Sequence, residues 1–285
     1  MYGNIDTGKL NADDGGMTML YNARNGRLDL AAFRMDYIRF GTGPKPLVLI
    51  PGVGDGLRTV KGTALPFALL YWSLAKDFTV YAFSRRVDLP AHMSTREMAA
   101  DLFNAMEALG LTAAAVVGVS QGGMIAQWLA IDHPEAVGRL VPVVTLSRPN
   151  DAIREAIAVW SDMARRGDYR GIMLDTARRS YSEKRLRSAL LTYRLLCNFG
   201  RPKSFDRFLT QAEACVTHDA WEDLPRIGCP TLVIGGTEDR IVTGQASLDM
   251  AAHIPGCELF MYEGLGHALY EEAPDFQRRI AEFCG

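Results

Sequence analysis

The sequence predicts an α/β fold: a mostly parallel eight-stranded sheet flanked by helices, with a helical cap inserted between strands six and seven. Three observations predict it. Short apolar, β-branched runs alternate with stretches of helical periodicity, which is how strands covered on both faces and joined by crossover helices read. Hydrophobic residues make up 48% of the 285 and charged residues 22%, enough apolar material for one sizeable core. From residue 148 to 216 the strand signals then vanish, and the chain becomes Arg-, Ala- and Leu-rich.

Taken in order, residues 1–26 are polar and rich in Gly, Asn and Asp, and contain no apolar run of signal-peptide length. They read as a flexible extension, with Met17 or Met19 as a candidate natural start. Strands are expected at 27–33, 35–40, 47–50 (LVLI), 79–83 (TVYAF), 115–119 (AVVGV), 139–145, 231–235 (TLVIG) and 258–262 (ELFMY). Between the fourth and fifth, Ser94-Thr-Arg-Glu97 is a capping box opening a helix. In that helix Met98, Leu102, Met106 and Leu109 recur at helical spacing until Gly110 stops it. In the insertion Ile153, Ile157 and Trp160, then Leu190, Leu191 and Leu195, repeat the helical pattern. The expected organisation is a core of residues 27–147 and 217–285 carrying a cap over 148–216. There is no internal repeat and no stretch of transmembrane length.

Lys plus Arg total 31 against 33 for Asp plus Glu, a net charge of −2, so no global field attracts nucleic acid or an anionic membrane. A small-molecule partner is expected. The five cysteines, at 197, 215, 229, 257 and 284, are odd in number and lack CxxC spacing, which suggests neither a disulfide framework nor a zinc site. A reducing, cytoplasmic setting is the expectation. The glycine-rich stretch 52–56 lacks the third-glycine spacing of a dinucleotide loop and no GK[ST] follows, so no cofactor is expected.

The chemistry concentrates in three places. Gly118-Val-Ser-Gln-Gly122 lies where an apolar strand meets a helix-compatible stretch, the setting a GxSxG nucleophile elbow requires. A side chain two residues either side of Ser120 would collide with its neighbours at so sharp a turn, and Gly118 and Gly122 remove those atoms. The Gln121 amide, at the start of the following helix, points to where negative charge would develop. A serine hydroxyl needs a base, and the base needs an orienting carboxylate. Asp239, in the loop after TLVIG, is expected as that acid, with neighbouring Glu238 as the alternative. His267, in the Gly-rich loop after the last strand, is expected as the base. His133, His253, His92 and His218 lie at helix ends, in a helix or in loops and cap junctions, where structural roles account for them. After LVLI, Pro51-Gly-Val-Gly-Asp-Gly56 leaves the Val53 amide free to point inward as a second oxyanion donor. Arg85, with Arg86 beside it at a strand end, is a candidate to bind an acyl carboxylate, although such arginines more often pair structurally. The arginines at 165–166 and 178–179 read as a solvated helix face. Trp160 and Met163, with Met173, Tyr181 and Phe199, are candidates to line an apolar acyl pocket or simply to form core.

Taken together, the PGVG turn, the GVSQGG segment, HDAWEDLPRIGCPTLVIGGTED and GLGHALYEEAP occur in the order seen in the α/β-hydrolase superfamily. The chain resembles its small capped members, such as enol-lactonases, carboxylesterases and carbon–carbon bond hydrolases, from about residue 30 to 285. The resemblance implies Ser120 as nucleophile, Asp239 as acid, His267 as base, and Val53 and Gln121 as oxyanion amides. It implies a serine hydrolase acting on a small ester or lactone, with amide or carbon–carbon cleavage by the same residues, or a non-catalytic receptor, as alternatives. Two departures stand out. Pro51-Gly52 replaces the family's His-Gly before the oxyanion turn, and Ser84-Arg-Arg-Val-Asp-Leu89 replaces its Asp-x-Arg-Gly-x-Gly.

Overall fold

In the computed structural model, which describes residues 20–285, the apolar runs pair into one eight-stranded sheet. The strands are β1 (Arg24–Asp29), β2 (Arg34–Phe40), β3 (Lys45–Ile50), β4 (Phe78–Arg86), β5 (Ala114–Val119), β6 (Val137–Val143), β7 (Leu232–Gly236) and β8 (Glu258–Tyr262). Their order across the sheet is β1-β2-β4-β3-β5-β6-β7-β8. The pairs β1/β2 and β2/β4 are antiparallel and the remaining pairs parallel.

Ten α-helices accompany the strands among the described residues: α1 (Ala64–Leu70), α2 (Thr95–Ala108), α3 (Gln121–Asp132), α4 (Asp151–Arg165), α5 (Tyr169–Ser180), α6 (Glu183–Leu196), α7 (Asp206–Thr217), α8 (Gly244–His253), α9 (Leu269–Glu272) and α10 (Phe276–Cys284). Strand side chains alternate between two cores, as the two-residue period demands. Val48, Ile50 and Val116 pack with Met98, Leu102, Leu129 and Met250 of α2, α3 and α8. Leu47, Leu49 and Val117 face the other way, toward Ala68 of α1 and Phe276 and Ile280 of α10. Four helices, α4 to α7, fill the gap between β6 and β7 and have their own core around Ile153, Ile157, Trp160 and Phe208. No helix among the described residues is long and apolar enough to cross a membrane.

Several boundaries differ from expectation. Most of the expected N-terminal extension, with Met17 and Met19, lies outside the described residues, and β1 already begins at Arg24, inside the segment read as extension. The first strand also stops at Asp29. Ala31-Ala32 form a tight turn closed by Leu30 N–H donating to the Phe33 carbonyl, with none of the Gly or Asn that usually announces one. β4 runs on to Arg86 because β2 pairs with it that far, across a register shift between Met35 and Tyr37. β6 ends two residues early, where Val144 takes a left-handed φ of 42°.

Candidate active site

Ser120 occupies the hinge between β5 and α3 with φ 54° and ψ −120°, a conformation that costs a non-glycine residue about 1–3 kcal/mol. Its own N–H donates to the Val143 carbonyl at 2.9 Å, which pins the turn to β6. A Cβ at Gly118 would lie 2.3 Å from the Gly122 carbonyl oxygen, and one at Gly122 would lie 1.9 Å from that of Ile50. Both glycines are therefore steric requirements of the turn.

Asp239 and His267 meet beyond the ends of β7 and β8. His267 Nδ1 lies 2.7 Å from Asp239 Oδ2, and both side chains are nearly buried. The other oxygen of Asp239 accepts the N–H groups of Ile241 at 2.8 Å and Val242 at 3.0 Å, so the carboxylate is held on both sides. Glu238, the alternative acid, is exposed. The two loops are joined as well: Glu238 N–H donates to the Leu265 carbonyl and Gly264 N–H to Thr237 Oγ1, each at 2.9 Å. From the insertion, the Ser180 carbonyl at the end of α5 accepts the Ala268 N–H at 2.9 Å, fixing the loop just after His267.

Val53 opens a 3-10 turn, Val53–Gly56, directly after β3, and Gln121 is the first residue of α3. The turn crowds the serine, because a Cβ on Gly52 would come within 3.8 Å of Ser120 Oγ. Among the described residues no acceptor is found for the N–H of Val53 or of Gln121.

Arg85 does not reach the cavity, contrary to its sequence-based candidacy as a substrate ligand. It is 4% exposed and lies behind the turn, where Nη2 donates to the Pro51 carbonyl at 2.6 Å and to Gln121 Oε1 at 2.9 Å. Burial lowers its pKa to about 10, with the neighbouring Asp55 charge acting in the opposite direction. Its neighbour Arg86 pairs with Asp101.

Ser120 and His267 line one cavity of about 520 Å³, whose walls are mainly apolar. Trp160 lines it, with its indole N–H donating to Asp175 at 2.9 Å, and so do Met173 and Phe199. Met163 and Tyr181 do not; Met163 packs into the core of the insertion instead, and Tyr181 bonds Glu271. The other histidines are accounted for elsewhere: His133 stacks on Phe103, His253 on Trp221, His92 meets Glu213, and buried His218 meets Thr95. Asp55, Arg207 and Gln211 were not legible as site residues. Asp55 Oδ2 accepts from Arg207 Nη2 at 2.7 Å and Gln211 Nε2 at 3.2 Å, across more than 150 residues that no local pattern connects. Among the described residues, no group of three or more His, Cys, Asp or Glu side chains could hold a metal ion.

The sequence model for the alpha/beta hydrolase fold matches residues 45–274. The chain belongs to the alpha/beta hydrolase fold family. A curated relative, the 2-hydroxy-6-oxononadienedioate/2-hydroxy-6-oxononatrienedioate hydrolase of Burkholderia vietnamiensis, is 26% identical over 90% of this chain and 92% of its own. Among solved structures, the alpha/beta hydrolase MGS-M2 from a deep-sea metagenome library superimposes with a TM-score of 0.79 at 21% identity, covering 90% of this chain and 96% of its own. The enol-lactonase from Burkholderia xenovorans LB400 gives 0.75 at 18% identity, covering 90% and 98%. These two share the fold with this chain. The expected α/β-hydrolase architecture, with its eight-stranded and mostly parallel sheet, is therefore the one found.

Proposed function

We propose that this alpha/beta hydrolase cleaves a small carboxylic ester or lactone through an acyl-enzyme on Ser120. The observation that carries the reading is the 2.7 Å pairing of His267 Nδ1 with Asp239, together with a strained Ser120 that lines the same cavity as His267. With Nδ1 engaged by the carboxylate, the imidazole presents Nε2 as its basic atom. His267 takes the proton of Ser120 Oγ, the oxygen bonds to the substrate carbonyl carbon, and the carbonyl π pair moves onto its oxygen. The N–H groups of Val53 and Gln121 receive that oxyanion. Collapse expels the alcohol, which takes the proton from His267. Water then attacks the acyl-enzyme by the same route and releases the acid. Asp239 keeps the imidazole in its tautomer and stabilises the cation. Every step uses only these groups and water.

The apolar walls, Trp160 among them, suit an acyl chain, and helices α4 to α7 act as a cap over residues 148–216. A small-molecule substrate met in the cytoplasm completes the proposal. A second reading, carbon–carbon cleavage by the same residues, is favoured by the Burkholderia vietnamiensis relative, whose named substrate carries a ketone and no ester.

The test is fluorophosphonate labelling of Ser120 with kinetics of Ser120→Ala on a chain-length series of p-nitrophenyl esters and on a dienone. The expected result is a labelled Ser120 and a fall in turnover of about three orders of magnitude or more in the variant. Esterase activity that survives in Ser120→Ala overturns the proposal, and turnover of the dienone alone shifts it to the second reading.

A further inference from the structure

We propose that Arg85 is a positioning residue that holds the two oxyanion amides in register, an inference that rests on the acyl-enzyme reading above. The two donors come from separate segments, the turn after β3 and the start of α3, so their spacing depends on what ties those segments together. One guanidinium nitrogen does so. Nη2 donates to the Pro51 carbonyl, two residues before Val53, and to the side chain of Gln121, whose own backbone N–H is the second donor. On the far side of Val53, the Arg85 backbone N–H donates to Asp55 Oδ2 at 3.2 Å. Val53 is thus bracketed by two bonds to the same residue.

The brace is anchored on α7. Arg207 Nη2 donates to the Arg85 carbonyl at 2.9 Å as well as to Asp55, and Gln121 Nε2 donates to the Gln211 carbonyl at 2.6 Å. Helix α7 also presses on the turn itself, since a Cβ at Gly56 would lie 2.6 Å from Phe208 Cα. Stability alone does not account for Arg85. Its Nε and Nη1 are buried with no partner among the described residues, and a buried cation so incompletely bonded returns little of its desolvation cost. An apolar residue of similar length should be tolerated by the fold and not by the transition state. Losing one oxyanion donor typically costs about 100- to 1000-fold in kcat, so a misplaced one should cost somewhat less.

The experiment compares Arg85→Met, Arg85→Lys, Gln121→Met and the Met/Met double variant, with Ser120→Ala in parallel. The substrate is a p-nitrophenyl ester and the inhibitor a trifluoromethyl ketone, whose adduct places an oxyanion against the two amides. In Arg85→Met, kcat should fall by roughly 10- to 100-fold with KM within about threefold, and ketone affinity should weaken in parallel. Thermal midpoints should fall by several degrees, for the buried acceptors left unpaired, with each variant still folded at the assay temperature. Arg85→Lys, which keeps the charge but reaches one acceptor, should fall between. The double variant should be little worse than Arg85→Met alone, because either change breaks the same bridge. If Arg85→Met does not fold, the same fall in kcat and ketone affinity in Gln121→Met, with a smaller fall in Arg85→Lys, is the expected result. Wild-type kcat and ketone affinity in the folded Arg85 variants, a loss confined to KM, or effects that multiply in the double variant would each overturn the proposal. Turnover retained by Ser120→Ala would instead remove the acyl-enzyme reading, so the two failures are distinguishable.

Discussion

At Gly122 one absent carbon decides whether the nucleophile turn can close. The atom that a Cβ would strike, 1.9 Å away, is the backbone oxygen of Ile50 at the end of β3, which has no side-chain freedom with which to yield. Gly122→Ala is therefore expected to destabilise the fold by about 3 kcal/mol or more, read from chemical denaturation. A wild-type midpoint would show that the turn relaxes in some way these contacts do not suggest. The glycine's role was legible because GxSxG after an apolar strand carries its own steric logic. Arg85 was not, because an arginine at a strand's carboxyl end looks alike whether it faces a ligand or braces the turn behind it. Only the positions of Pro51 and Gln121, 34 and 36 residues away, settle its surroundings.

At the level of elements, α2 shows how much a local signal can carry. Ser94 Oγ accepts the Glu97 N–H and the Glu97 carboxylate accepts the Ser94 N–H, the reciprocal box its spacing predicts. Hydrogen bonding to Ser94 accordingly holds the Glu97 carboxyl below its ordinary pKa. Ser94→Ala should lower stability by about 1 kcal/mol with kcat unchanged, since the cap sits at the helix start and not in the cavity. A change in kcat without one in unfolding free energy would contradict this. Strand ends were less legible than helix starts. β4 extends through Arg85 and Arg86 because β2 offers it partners, and the β1/β2 turn is made by two alanines that read as strand. In both cases pairing with a neighbour overrides local preference.

For the molecule as a whole, His218 makes stability depend on acidity. It is buried where α7 ends, near α2 and α3, with Nδ1 against Thr95 Oγ1 at 2.8 Å and its ring edge-on to Trp128. Burial pushes its pKa down to about 3. Unfolded, the ring would take a proton below about pH 6.5, whereas folded it stays neutral until about pH 3. The unfolded state thus binds the extra proton across that window. The contribution of His218 is present above about pH 6.5 and declines toward pH 3, by about 1.4 kcal/mol per pH unit for one proton. Urea unfolding between pH 7 and 4 should show a shallower pH slope in His218→Gln than in wild type. Equal slopes would assign acid sensitivity to other groups.

Local patterns along the chain were enough to read the fold class, eight strands and their approximate places, the capped α2, and Ser120, Asp239 and His267 as the residues to watch. Each of these rests on short-range rules: side-chain period, turn sterics, and residue type at the end of a strand. Packing between distant segments is what makes Asp239 and not Glu238 meet His267, lets Trp160 line the cavity while Met163 does not, and turns Arg85 away from it. It also brought Arg207 and Gln211 of α7 onto the turn after β3. Those outcomes depend on which distant segments come within hydrogen-bond range once the sheet and helices have packed. No pattern confined to neighbouring residues encodes such distances.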